Sequence, residues 1–332
     1  MKGVIHAYGQ VQGREAAGLI IDGKVEDFVF DTDAPRPGAI YRAKTVRPVK
    51  GQGGMFVETP DGSAFLRNAK GLSVGRHILV QVSGYAEAGK ATPVTDRLLF
   101  KNKYAIVTPG KPGINIARSI KDEDRRVALR EVADVFSGHL RGCGVILRSS
   151  AATAELGDVQ GAIESALDAA FVVLEDTGGS TEKLIEGPDV YEFAYREWPT
   201  GTTDGDIEEC FESAIAPSSA LPGGGKVTVQ STSALVAVDV DTGGDTSPAA
   251  GLKANIAAAK DLPRLLRLKG LGGQVVIDFA PMPKKNRRGL EQALQSAFRS
   301  DSIETALIGW TKMGLFEMSR KKARPALHEV FK

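Results

Sequence analysis

ALVAVD (residues 234–239) and QVVID (residues 274–278) are apolar runs that each end on an aspartate, and an Ala/Leu/Lys-rich stretch, residues 249–269, lies between them. Continuous apolar runs separated by one helix's worth of chain make a strand–helix–strand unit, in which the strands are parallel and often adjacent. Neighbouring strands lie about 4.8 Å apart. Asp239 and Asp278, leaving the same end of such a pair, are therefore placed to share one small cation. Open α/β sheets carry their chemistry at that end. The reading is a metal-dependent enzyme with Asp239 and Asp278 as metal ligands.

The chain has 332 residues, room for two or three domains, and its 42% hydrophobic and 25% charged composition is that of an ordinary globular protein. No apolar run approaches the roughly 20 residues that span a membrane. The N-terminal MKGVIHAYGQ has no signal-peptide core. A cytoplasmic protein is expected. Cys143 and Cys210 make no CxxC pair, and the four histidines (His6, His77, His139, His328) have no HExxH or HxH spacing. That disfavours zinc and favours an oxygen-ligated hard cation, magnesium first and manganese as its substitute. Eleven Lys/Arg stand against five Asp/Glu after residue 278, so with a net charge of +1 the preceding residues carry −5. A basic C-terminal region beside an acidic metal site suits a polyanion such as nucleic acid. An ordinary solvated basic surface fits the composition equally well.

Along the chain, residues 17–21 and 25–30 predict a hairpin about Asp22-Gly23. Five short strands are expected at residues 40–46, 54–58, 63–66, 77–83 and 92–96, a spacing that fits a small OB-like barrel. Further on come strands at 104–107 and 144–147, helices at 123–136 and 158–174, and a loop over 175–188. Residues 189–222 hold a short strand, a helix around 207–214 and a Leu221-Pro222-Gly223-Gly224-Gly225 turn. Lys226 after that turn opens a strand at 226–230 and no helix, so a P-loop is excluded. A helix at 286–300 and a strand at 306–309 complete the C-terminal domain.

LPGGGKVTVQSTSALVAVDVD (residues 221–241), LRLKGLGGQVVIDF (266–279) and GLFEMSR (314–320) resemble, in order, the catalytic core of the ribonuclease E/G family of endoribonucleases. AIYRAKTVRPV (39–49), MFVETPDGSAFL (55–66) and INIARSIKDEDR (114–125) are similar to its OB-fold RNA-binding domain and the sensor domain that follows. The resemblance implies a multi-domain α/β and β chain. Residues 1–38 and 188–223 would form a reduced RNase H-like scaffold, 39–98 the OB-fold barrel inserted near the N-terminus, 99–187 a reduced 5′-sensor, and 224–332 a DNase I-like α/β catalytic domain. It implies magnesium-dependent cleavage of single-stranded RNA in RNA processing and mRNA decay, leaving 5′-phosphate and 3′-hydroxyl ends.

By the same resemblance, Asp239 and Asp278 match the family's metal-binding aspartates, and Asp241 stands at its third active-site position, an asparagine in the family, where it would be a catalytic residue that orients the attacking water or the metal shell. Phe56 and Phe65 match aromatics that stack on RNA bases, with Lys90 as a nearby cation; two core phenylalanines are the plainer alternative. Arg118, Arg148 and Ser149 match a pocket for the RNA 5′-monophosphate, although Asn102 replaces a glycine of that pocket and Glu304 an arginine. Lys284, Lys285, Arg287 and Arg288, just past the second aspartate, are candidates to neutralise RNA phosphates, or simply a solvated face; Lys312 and Arg320 are weaker candidates. Between Ser149 and Pro188 the chain is shorter than the family by roughly forty residues, and no CPxC follows GLFEMSR, so a zinc-linked dimer is not expected. The rival function is an RNA-binding protein whose nuclease has lapsed.

Overall fold

The computed structural model of the chain describes residues 3–49, 53–86, 89–247 and 249–331. Near its start, Gln12-Gly13 and Asp22-Gly23 both take positive φ (48° and 78°, 52° and 80°). Two successive left-handed residues form the tight turn whose twist matches paired strands. These turns link β1 (Val4–Val11), β2 (Arg14–Ile21) and β3 (Lys24–Phe30) into an antiparallel meander. The hairpin expected at Asp22-Gly23 is the second of its two turns. The chain divides into two compact units, residues 33–200 and residues 1–32 with 201–332.

The first of these units opens with β4 (Ile40–Val49), β5 (Gly54–Thr59), β6 (Gly62–Leu66), β7 (His77–Val82) and β8 (Thr92–Thr95). They pair in the order β4-β5-β6-β8-β7, and β7 returns to β4, closing a barrel that fits an OB-fold. Alternation along the strands points Met55, Val57, Ala64, Leu66 and Val80 into its core. Next come β9 (Phe100–Lys101), β10 (Ala105–Thr108), β11 (Gly113–Ile116) and β12 (Gly144–Leu147), a sheet in the order β11-β12-β10-β9. Helices α1 (Glu123–Asp134) and α2 (Leu156–Leu174) bury Leu129, Ile163, Leu167 and Ala170 with Val107, Val145 and Leu147 of that sheet. Asp122 caps α1 by accepting from the Arg125 amide at 2.9 Å. Residues 175–188 are not all loop: they contain β13 (Glu182–Ile185), which pairs with β4. A helix absent from the sequence reading, α3 (Val190–Glu197), follows and is capped by Asp189.

In the other unit, β14 (Thr202–Gly205) runs parallel to β1, giving the sheet order β14-β1-β2-β3. Helix α4 (Ile207–Ile215) lays Cys210, Phe211 and Ala214 on that sheet. A Cβ at Gly18 would sit 2.4 Å from the Cys210 sulfur, so the glycine is what admits the helix. Burial pushes the Cys210 thiol up to about 12, which fits a packing role. The second sheet comprises β15 (Ser218–Ala220), β16 (Lys226–Ser231), β17 (Val236–Asp241), β18 (Gly273–Asp278), β19 (Thr305–Trp310) and β20 (Phe316–Arg320). Its order is β15-β16-β17-β18-β20-β19. The turn before β16 is structural, as read: Gly223 and Gly224 have φ of 97° and 92°, and the Leu221 amide donates to the Gly225 carbonyl at 2.7 Å. Helices α5 (Ala250–Leu268) and α6 (Arg287–Arg299) pack Leu262, Leu266, Leu290 and Leu294 against Val238, Val275 and Ile277. Val238 and Ile277 face the helices, so the residues that alternate with them face the other way.

Candidate functional site

β17 and β18 are parallel neighbours, and Asp239 lies directly beside Asp278 in their register. Residues paired in register point to the same face. Here it is the face away from α5 and α6, since both aspartates are exposed while Val238, Val240 and Ile277 are buried. Thr228 of β16 also pairs with Asp239, and exposed Glu317 of β20 stands beside Val276. Among the described residues neither Asp239 nor Asp278 takes an ion pair or a side-chain hydrogen bond. Two adjacent carboxylates with no protein cation between them repel each other until a counter-charge arrives.

The segment leaving Asp278 is clamped from behind. Buried Asn255 of α5 donates to the Ala280 carbonyl at 2.8 Å and accepts from the Ala280 amide at 2.9 Å. One turn earlier, a Cβ at Gly251 would come within 2.1 Å of the Pro281 carbonyl, so glycine allows the helix to press on this loop. Sequence reasoning missed Asn255. Its signal was a lone amide on the alanine- and leucine-rich face of α5.

Asp241 ends β17, two residues past Asp239. Its carboxylate accepts from the Gly243 amide at 2.8 Å and lies 3.8 Å from the Lys226 ammonium. It is committed to its own turn. In the basic run, Lys284, Lys285 and Arg288 are exposed on a short 3₁₀ turn and the start of α6. Arg287 differs from them: its guanidinium lies 4.1 Å from the Trp310 ring centroid, and that indole donates to Glu291 at 2.6 Å. Lys312 is exposed at the β19–β20 turn. Arg320 is a buried core residue paired with Asp301 at 2.6 Å, which argues against its contacting a substrate.

Among the described residues no three His, Cys, Asp or Glu gather to hold a metal ion. A closed zinc-type cage is thus not formed by them. Two bare carboxylates do suit a magnesium-like cation, which binds through one or two carboxylates and keeps waters or substrate oxygens as its other ligands.

On the barrel, Phe56 of β5 pairs across the strands with Phe65 of β6, their ring centroids 5.4 Å apart. Both are half-buried, and their strand neighbours Met55, Val57, Ala64 and Leu66 fill the barrel instead. The two phenylalanines are on the outer wall and not in the core. Phe65 folds down over Gly54, where a Cβ would be 2.3 Å from the ring, and the Arg47 guanidinium lies 4.2 Å from the Phe56 centroid. Lys90 is exposed in the β7–β8 connection.

The candidate phosphate pocket is differently arranged. Arg148 donates to the carbonyls of Asn102 (2.6 Å) and Arg196 (3.0 Å) and to the Glu197 carboxylate (2.7 Å). Glu197 also pairs with Lys101 at 2.7 Å. Burial pushes Lys101 below the usual lysine range, more than Glu197 raises it. Burial pushes Glu197 up, but the charges of Lys101, Arg148 and Arg196 outweigh it and hold the carboxyl low. Asn102 caps the β9–β10 turn, donating to the Ala162 carbonyl at 2.6 Å and accepting from the Ala105 amide at 3.0 Å. Arg118 and Ser149 are exposed, as is Glu304.

Residues 199–323 match the profile of the ribonuclease E/G family. Ribonuclease E of Escherichia coli (strain K12) is 28% identical over 308 residues, covering 78% of this chain and 29% of the relative. Ribonuclease E of Haemophilus influenzae is 26% identical over 394 residues, 96% of this chain and 42% of the relative. Ribonuclease G of Escherichia coli (strain K12) is 23% identical over 394 residues, covering 93% of this chain and 78% of the relative. The chain thus spans less than half the length of these two ribonucleases E. No helix among the described residues is long and apolar enough to cross a membrane.

Proposed function

Because the chain belongs to the ribonuclease E/G family, we propose that it is an endoribonuclease that cuts single-stranded RNA at Asp239 and Asp278. One observation carries this reading: the two carboxylates lie side by side on the sheet face turned away from the helices, unpaired among the described residues. They are the groups that would hold a divalent cation, with magnesium the ion their sparse oxygen set suits best. Such an ion supplies polarisation of the scissile phosphoryl group and a lowered pKa for the attacking water. Asp239 and Asp278 then act as paired ligands, and Asn255 positions the second by fixing the backbone at Ala280. Lys284, Lys285 and Arg288 would neutralise flanking phosphates, with Arg287 held in place by Trp310. Phe56 and Phe65, with Lys90 nearby, would stack the bases of a single strand, an attachment that tolerates many sequences. Products would carry 5′-phosphate and 3′-hydroxyl ends.

In family terms, residues 224–332 read as the DNase I-like catalytic part, 39–98 as the RNA-binding barrel, 99–187 as a reduced sensor, and 1–38 with 188–223 as the scaffold. Sensing of the RNA 5′-phosphate by Arg118, Arg148 and Ser149 has the least support, because internal acceptors already occupy Arg148. The rival is an RNA-binding protein without turnover, of which Asp241 in place of the family's asparagine would be a sign. Incubating the chain with labelled AU-rich single strands, with and without Mg²⁺, separates the two. Magnesium-dependent cuts that are lowered on the order of 10²–10³-fold in Asp239→Asn and Asp278→Asn are expected. Binding without cutting under every metal condition would leave the rival standing.

A further inference from the structure

A cavity of about 220 Å³ lies where the end of α4 and edge strand β15 meet the C-terminal half of α5. Ser213, Ser218, Ser219, Arg264, Leu265 and Lys269 are among the residues that line it. Its volume is below the roughly 300 Å³ at which pockets for drug-sized ligands begin, so an occupant must be small.

The charges around it do not balance. Arg264 and Lys24 share one carboxylate, Asp261, with Arg264 donating to both of its oxygens at 2.7 Å. Lys269 adds a third cation, and among the described residues no carboxylate pairs with it. Its ammonium donates to two backbone carbonyls at the end of α4, those of Ala214 (3.1 Å) and Ala216. An ammonium has three donors, and the described residues supply acceptors for two, while Lys269 lines the cavity. Burial, and then the charge of Arg264, push Lys269 below the usual lysine range, the direction a bound anion would reverse. Capping of α4 accounts for the two carbonyl contacts. It does not account for the cavity, the three serines that line it, of which Ser219 accepts from Arg264 at 3.4 Å and keeps its own proton to donate, or the surplus of positive charge.

We propose that this cavity binds a small oxyanion of the phosphate class, held by the Lys269 ammonium and the hydroxyls of Ser213, Ser218 and Ser219. A compact ammonium with hydroxyl donors suits a tetrahedral anion. The occupant is either free phosphate or the terminal phosphate of a nucleotide or RNA end. The site is independent of the carboxylate pair and of the nuclease reading.

The test titrates the full chain with inorganic phosphate at constant ionic strength, followed by calorimetry and by the rate of reductive methylation at Lys269. Saturable binding that slows methylation is expected, weakened about tenfold or more in Lys269→Gln. Because that substitution also uncaps α4, Ser218→Ala on exposed β15 is the second variant, expected to weaken binding several-fold in a chain that folds normally. Competition by a 5′-phosphorylated oligoribonucleotide, and none by its 5′-hydroxyl twin, would identify an RNA end as the source. Phosphate binding that neither displaces would identify a free anion. A linear, unsaturable response to phosphate overturns the proposal, and so does saturable binding untouched by both substitutions.

Discussion

Asp239/Asp278 and Arg148/Glu197 are both pairs of charged residues, the first made of two positions matched to a functional family and the second of one such position, Arg148, and a partner that the structure supplies; the structure treats them in opposite ways. The aspartates share a sign, stand in register on neighbouring strands, and are met by no protein cation among the described residues. Arg148 and Glu197 have opposite signs and satisfy each other, with two backbone carbonyls completing the guanidinium fork. An uncompensated pair needs a partner from outside, whereas a compensated pair already has what it needs. Matching residue type at a family position therefore says less about function than whether the side chain is still available.

The widest separation between the two pairs is expected from charge removal. Asp239→Asn or Asp278→Asn should lower the cleavage rate on the order of 10²–10³-fold, the scale seen when one electrostatic contact to a transition state is lost, with RNA affinity in a filter assay unchanged. Unaltered turnover in both variants would dissolve the contrast. On the other side, Arg148→Ala should lower stability by about 1–3 kcal/mol, because it leaves half-buried Glu197 with Lys101 as its remaining cation and the carbonyls of Asn102 and Arg196 without their donor. Urea unfolding measures that directly. The same contrast predicts a 5′-monophosphate to 5′-hydroxyl cleavage ratio near one, rising in Glu197→Gln; a large ratio in the unaltered chain would mean that substrate displaces Glu197.

Phe56→Ala and Phe65→Ala should each weaken single-strand binding by about 1–3 kcal/mol per base lost from the stack, read by fluorescence anisotropy, with little change in the maximal rate. Acid adds a smaller and graded effect. Hydrogen bonds from Arg42 hold Asp176 below the usual carboxylate range, and cations hold Glu197 low despite its burial. Depressed carboxyls stabilise the fold above their unfolded pKa of about 4 and lose that contribution as pH falls through the lower folded values. Urea midpoints should thus be level in this respect above about pH 5 and drop below about pH 4. The smallest change is expected from Asp241→Asn. An amide oxygen can accept from the Gly243 amide as the carboxylate does, so cleavage should shift by no more than a few-fold.

The N-terminal hairpin, the barrel and the strand–helix–strand unit were legible because their apolar runs are bounded by turns that only certain residues permit, as at Asp22-Gly23 in the first of them. Strand β20 was not read as a strand. Its residues alternate buried and exposed, but one inward position is Arg320, whose charge disguises the pattern until Asp301 is seen to pair with it. β13 was hidden for another reason: it is four residues of mixed polarity whose identity as a strand comes from its partner β4. At the site, Asp239 and Asp278 could be placed together because a parallel pair fixes register over a short stretch. The hold of Glu197 on Arg148 joins residues 49 apart in sequence and depends on α3, a helix that periodicity did not reveal.

The double hydrogen bond between Asn255 and Ala280 ties the second aspartate's strand end to a helix, not to the next strand. Heat or denaturant that lets α5 breathe would therefore misalign the carboxylates while the six-stranded lamina is still intact. Inactivation should run ahead of melting, and an excess of divalent ion, by drawing the two acids together, should narrow the gap between them.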